Sequence, residues 1–251
     1  MKNRICFYFC WLLLVPFSCR GQAPEEKSLP AADPPMVAEK PELPPPAPRK
    51  SRTALYLDSI GLVDVRDLDP TIIVRLMYAT ADNFTGEVLY EDLQEAYLQP
   101  EAAEALVRAQ QALHRIHPSY NLIVYDAVRP LSVQQKMWNV VKGTSRNIYV
   151  SNPARGGGLH NYGIAVDISI ADSLGRPLPM GTEVDHLGRE AHVNLEDQLL
   201  REGAITREEL NNRKLLRQVM HEAGYRVLPT EWWHFDLYTR AQAKEKYAII
   251  E

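Results

Sequence analysis

A chain of 251 residues, 45% of them hydrophobic, is long enough to bury one sizeable core and to carry further segments beside it. Its formal net charge of −4, with no block of basic residues, argues against nucleic acid as a partner. The three cysteines are Cys6, Cys10 and Cys19, so the rest of the chain can form neither a disulfide nor a thiolate metal site, and any metal there must sit on His, Asp or Glu.

Lys2 and Arg4 precede an apolar run from Ile5 to Phe17 that ends at Ser18-Cys19. A basic start, a short apolar stretch and a small residue before the break predict a signal segment over residues 1–19. The run is shorter than the roughly 20 residues that a membrane-spanning helix needs. Serine before Cys19 resembles a bacterial lipoprotein cleavage site, after which Cys19 would carry a lipid; the alternative is a plain signal peptide cut a few residues later. The expectation is an exported protein of the bacterial cell envelope, periplasmic and held to a membrane through Cys19. Residues 20–51 hold nine of the eighteen prolines and little that could bury a core, which predicts an extended, semi-stiff tether.

The folded part is expected over residues 52–251. Leu62 to Val65 and Thr71 to Leu76 read as strands. Pro100 suits the first position of a helix, in which Ala103, Leu106, Ala109, Leu113 and Ile116 recur at intervals of three or four. Asn121 to Asp126 reads as a buried strand, followed by Arg129-Pro130 and a helix through Trp138. Thr206 and Glu209 form a capping box ahead of the apolar stripe Leu216, Val219, Met220 and Ala223, and Gly224 is a natural stop. Strands and helices mix without regular βαβ alternation, which predicts an α+β fold, a single domain with a mainly antiparallel sheet flanked by helices.

The chemistry gathers in Gly158-Leu159-His160-Asn161-Tyr162-Gly163-Ile164-Ala165-Val166-Asp167 and in Glu231-Trp232-Trp233-His234. Together these offer two imidazoles and a carboxylate for a metal, with a spare carboxylate beside the second imidazole. Hydrolysis at a zinc ion needs those parts: three protein ligands, an open position for water and a nearby base. Ile164, Val166, Ile168 and Ile170 alternate with Ala165, Asp167 and Ser169, a strand with one apolar face and Asp167 on the other. His160 lies at an odd offset from Asp167, so the chain must bend between them, and the glycines at 156–158 and 163 allow this. Taken alone, a histidine among glycines is an ordinary loop residue. A turn at Trp232-Trp233 would aim Glu231 and His234 into one cavity, and the two tryptophans would serve as core or as a screen against water. Arg129, at the end of a buried strand, reads either as a surface ion pair or as a cation for an oxyanion.

His-x-x-Gly-x-Ala-x-Asp followed by Glu-x-x-His resembles the zinc D-alanyl-D-alanine peptidases of the bacterial cell wall. Tyr78-Ala79-Thr80, Asp82-Asn83-Phe84-Thr85-Gly86 and Arg129 narrow the resemblance to the D-Ala-D-Ala dipeptidase branch, over roughly Leu62 to Tyr238. The resemblance implies one zinc ion per chain on His160, Asp167 and His234, with Glu231 as general base and Arg129 stabilising the tetrahedral intermediate. It implies that Asp185 holds the ammonium of D-Ala-D-Ala or a related small peptide, while His192 is read as a structural or rim residue. Gly158 departs from the family, which often carries a substrate-contacting serine there. The competing readings are a D,D-carboxypeptidase or endopeptidase acting on peptidoglycan stem peptides, and a zinc-containing binding module without catalysis.

Overall fold

Apolar alternation from Ala165 to Ala171 builds the central strand of the protein, every residue of which is buried. A computed structural model describes residues 50–251; the expected signal segment, Cys19 and nearly all of the tether lie outside the described residues. Ser51 caps a first helix, α1 (Arg52–Ser59), by accepting from the backbone of Ala54. Strand β1 (Val63–Asp64) is shorter than the expected Leu62–Val65, because the Asp64 side chain accepts from Arg66 N and turns the chain into helix α2 (Val65–Leu68). Strand β2 (Ile73–Val74) occupies only the centre of the expected 71–76 segment. Strand β3 (Tyr97–Leu98) pairs with β1 in a small antiparallel sheet.

Helix α3 (Pro100–Ile116) starts at the expected proline and buries Ala103, Leu106, Ala109 and Leu113. Ile116 departs from the expectation, being 41% exposed on the last turn. Strand β4 (Asn121–Asp126) is followed by helix α4 (Leu131–Val141), one turn longer than expected. The central strand is β5 (Ala165–Ala171). A short helix α5 (Glu196–Glu202) precedes α6 (Arg207–Glu222), where Thr206 and Glu209 form the expected capping box and Gly224 takes φ +103 just past the end. Strands β6 (Arg226–Leu228) and β7 (Glu231–Asp236) are joined by a tight turn at Pro229-Thr230, and helix α7 (Arg240–Lys246) follows.

The main sheet runs β2-β4-β5-β7-β6; its one parallel pair is β2 with β4, and the other pairs are antiparallel. Helices α3 and α6 pack on each other and on this sheet, over a core that includes Val166, Ile168, Ile170, Leu216 and Phe235. The fold is α+β, as the element pattern implied.

The end of the chain corrects one expectation. Trp232 and Trp233 do not form a turn; both are buried within β7. Registry with β6 jumps from the Val227–Phe235 pair to the Leu228–Glu231 pair, so residues 232–234 bulge between them. A bulge re-aims side chains that a regular strand would send to opposite faces. This is how Glu231 and His234, three residues apart, come to line the same pocket.

Candidate active site

Arg129, His160, Asp167, Asp185, Glu231 and His234, the six residues singled out from the sequence, all line one pocket. Each comes from a different local device. His160 sits on a single 3-10 turn, Leu159–Tyr162, which Gly163 ends with φ +69, and this is the bend the odd spacing required. Asp167 projects from β5 and pairs across the sheet with His234 of β7. Arg129 follows the end of β4, and its backbone N–H donates to the His160 carbonyl at 3.1 Å. Asp185 lies in the long connection after β5, with φ +63, a left-handed conformation that few non-glycine residues other than Asn and Asp adopt.

Three donor atoms converge. His160 Nε2 lies 3.1 Å from His234 Nδ1, His234 Nδ1 lies 3.0 Å from Asp167 Oδ1, and His160 Nε2 lies 3.3 Å from Asp167 Oδ2. Ligands about 2.0–2.1 Å from a tetrahedral ion stand about 3.3 Å apart, so this triangle has the dimensions of three zinc ligands. Two imidazoles and a carboxylate suit zinc better than magnesium or calcium, which prefer oxygen alone. The residues fit the ion. His160 Nδ1 faces the Ala127 carbonyl at 2.6 Å. A carbonyl only accepts, so Nδ1 carries the proton and Nε2 presents its lone pair to the cluster. His234 is turned the other way: its Nε2 faces Asp236 Oδ1 at 2.9 Å, which leaves Nδ1 for the cluster.

The surrounding charges are arranged around this triangle. Burial works against ionising Asp167, but His160 and His234 outweigh it and hold the carboxyl well below the usual carboxylate range. Burial likewise opposes a charge on His234, and is overcome by Asp236 and Asp167, which raise it well above an ordinary imidazole. Glu231, 8% exposed, is pushed up to about 8 by burial, with the Asp167 and Asp185 charges adding to the shift. Asp185 is pushed up to about 7 by burial and then by Asp167, against the hydrogen bond that Tyr78 OH donates to its Oδ2. Arg129 is no surface ion pair. It is 7% exposed, donates through Nε to Asp126 Oδ2 at 2.8 Å and through Nη1 to Gln134 Oε1 at 3.0 Å, and stands over the Tyr78 ring at 5.2 Å.

Several of these partners escape sequence reasoning. Asp236 repeats the two-residue period of β7 from His234, a signal that could have found it. Gln134 and Asp126 have none, because a buried polar residue on a helix or at a strand end looks like any other. Tyr78 and Phe84, from the two motifs that narrowed the resemblance, both line the pocket, with rings edge-to-face at 6.4 Å. The adjacent tryptophans are core and do not line it. His192 is not among the residues that line the pocket; its Nε2 stands 2.9 Å from the hydroxyl of the pocket residue Tyr149.

A model of the peptidase M15 family, described as D-Ala-D-Ala dipeptidase, matches residues 58–250. The chain belongs to this family. Among its curated relatives, the D-alanyl-D-alanine dipeptidase of Escherichia coli K12 is 29% identical over 180 residues, 72% of this chain and 86% of that one. A D-alanyl-D-alanine dipeptidase of Synechocystis is 29% identical over 178 residues, 58% of this chain and 71% of that one. The enzyme of that description from Enterococcus faecium is 27% identical over 181 residues, 64% of this chain and 83% of that one. The matched span covers the whole pocket, from Tyr78 to Arg240.

Proposed function

We propose that this member of the family is a zinc-dependent dipeptidase that hydrolyses D-Ala-D-Ala to two molecules of D-alanine. One observation carries the reading: a metal-ligand triangle, a buried carboxylate outside it, a locked guanidinium and a further carboxylate all share one small pocket. The cavity measures about 160 Å³, below the roughly 300–1,000 Å³ of pockets that enclose drug-sized ligands. A small substrate fits that scale.

His160, Asp167 and His234 would hold the ion, which when bound supplies positive charge to polarise the scissile carbonyl and to make water acidic enough to attack near neutral pH. Glu231 takes the proton of the attacking water as the new C–O bond forms, and returns it to the nitrogen as the C–N bond breaks. With positive charge held by His160, Asp167 and His234, the burial and carboxylate charges that push Glu231 up would be countered and Glu231 would serve as the base. Arg129 cannot swing away, because Asp126 and Gln134 hold its fork. Its fixed charge faces the oxygen on which negative charge develops, at no reorganisation cost in the step itself. Asp185, steadied by Tyr78, takes the substrate's ammonium.

The deciding assay follows D-alanine release by the zinc-loaded protein from D-Ala-D-Ala and from an N-acylated tripeptide ending in D-Ala-D-Ala. Cleavage of the free dipeptide alone is expected. Cleavage mainly of the acylated peptide would make the protein a carboxypeptidase, and zinc binding without cleavage of either would leave a binding module. For the cell, we infer turnover of wall-derived dipeptides by an exported, Cys19-anchored enzyme, a reading supported by residues 1–19 alone. Recovery of active protein in the soluble cytoplasm would refute it.

A further inference from the structure

A free dipeptide carries an ammonium at one end, a carboxylate at the other and one peptide carbonyl between them. The proposed function provides for the ammonium at Asp185 and for the carbonyl at the donor triangle and Arg129, and leaves the carboxylate without a partner. Two guanidinium groups line the pocket, those of Arg129 and Arg240. Arg129 is held by Asp126, Gln134 and Asp167 and is already assigned to the carbonyl oxygen. Arg240 is not. Among the described residues it forms no ion pair, and its one hydrogen bond is long, from Nη1 to the Gly156 carbonyl at 3.4 Å. The carboxylate of Asp236, which lines the same pocket, is already occupied with His234.

Ser151 lines the same part of the pocket. Its carbonyl accepts from Gln134 Nε2 at 2.8 Å, which ties it to the residue that holds Arg129. Its hydroxyl has no hydrogen-bond partner among the described residues. Gly158, another residue of the pocket, lies against that hydroxyl. At φ −101 and ψ −179 the backbone there would accept any residue, so the lack of a side chain is not a conformational need. A Cβ at 158 would lie 3.3 Å from Ser151 Oγ, and its absence leaves the serine uncovered.

The two ends of the pocket are separate. Phe84 and Asp185 also line a second depression, together with Val74 and Tyr125. Val150, Ser151 and Arg240 also line another, with Trp138 and Arg155, and these two depressions share no residue. Asp185 and Arg240 thus belong to different sides of a pocket whose wall also carries the metal-ligand triangle.

We propose that Arg240, with the Ser151 hydroxyl, binds the free C-terminal carboxylate of the substrate and makes a free acid end a condition of efficient cleavage. The inference rests on the dipeptidase reading and adds to it the residues that select the acid end. A guanidinium–carboxylate contact at a partly open site, added to a hydroxyl bond, is worth about 10- to 100-fold in recognition.

The test compares D-Ala-D-Ala with its C-terminal amide as substrates of the zinc-loaded protein. The unsubstituted enzyme is expected to prefer the acid by about 10- to 100-fold in kcat/KM. Arg240→Gln removes most of that preference by raising KM for the acid, with kcat and zinc content close to those of the unsubstituted protein and the amide little affected. Arg240→Lys, which keeps the charge but not the fork, falls between. Ser151→Ala costs the acid about 2- to 10-fold. Arg240 is exposed, so its variants keep the fold. If the unsubstituted enzyme cleaves the acid and Arg240→Gln discriminates just as well, the inference alone is overturned. If the unsubstituted protein neither cleaves nor binds either compound by calorimetry, the dipeptidase reading falls and the inference with it.

Discussion

Asp236→Ala isolates the group that orients His234 without itself belonging to the proposed metal-ligand triangle. His234 presents Nδ1 to the donor triangle only while its proton stays on Nε2, and Asp236 Oδ1, 2.9 Å from Nε2, is what keeps it there. The carboxylate also raises the basicity of the ring, and it is among the main causes that lift His234 above an ordinary imidazole. Outer partners of this kind contribute about 10- to 100-fold in metal affinity, or about 1.4–2.8 kcal/mol. The Asp236 side chain is 20% exposed and its backbone pairing with Ala165 and Arg226 is untouched by the substitution, so the sheet survives. Zinc affinity, measured by competition with a chromophoric chelator at fixed pH, is expected to fall by that factor. Asp236→Asn, whose amide oxygen can still accept from Nε2–H, should lose less. Asp236→Ala protein with a wild-type dissociation constant and a wild-type circular dichroism spectrum would refute the reasoning, because the ring would then be held by something else.

Glu231→Ala is expected to keep its zinc, by metal analysis, while D-Ala-D-Ala turnover falls by about 10²- to 10⁴-fold; turnover near wild type would remove Glu231 as the base. Arg129→Ala strips the cation from Asp126, whose side chain is fully buried, and should cost about 3–5 kcal/mol of stability in chemical denaturation beyond the loss of activity. An unchanged unfolding midpoint would refute the part given to the Arg129–Asp126 pair in holding this end of the pocket together. Gly157→Ala would put a Cβ 2.2 Å from Asn161 Oδ1 at a φ of +62. It should cost about 1–3 kcal/mol and loosen the Asn161 side chain that donates to the Arg129 carbonyl at 2.6 Å, detectable as a lower melting temperature. Asp185 predicts a pH dependence in chelator-treated protein. Its folded value, near 7, lies above the unfolded one, so its contribution is complete below about pH 4 and is lost as pH rises through 7. Asp185→Asn, which tolerates the same left-handed backbone, should therefore gain in melting temperature relative to wild type between pH 4 and 7. A difference that stays flat across that window would show that Asp185 is ionised throughout.

Local signals located most of the elements because each rests on a few neighbouring residues. Pro100 opens α3 because its missing N–H costs nothing in the first turn. Thr206 and Glu209 open α6 through reciprocal hydrogen bonds to backbone N–H groups. The alternation in β5 separates a core face from the face that bears Asp167. The expectations that failed were ones where a distant partner decides. Val65 leaves β1 for a helix because of the Asp64 cap, and β2 is two residues long because only Ile73 and Val74 find partners on β4. The turn expected at Trp232-Trp233 is a strand with a bulge, since the turn itself falls at Pro229-Thr230, where proline cannot donate to a ladder.

The sequence alone determined the chemical kind of the site: two imidazoles, two carboxylates and an arginine, in an order that resembles one peptidase family. It also determined that His160 and Asp167 need a bend between them, since an odd offset cannot place two side chains on one face of a straight strand. Only the tertiary structure decided which nitrogen of each histidine faces the cluster, because the Ala127 carbonyl that sets the His160 tautomer comes from a segment 33 residues away. The locking of Arg129 likewise needs the start of α4 to fold back onto the end of β4, and the pairing of β5 with β7 brings Asp167 to His234 across 67 residues of chain. Such contacts follow from how the sheet and helices close on one another, and a pattern of neighbouring residues carries no record of that closure.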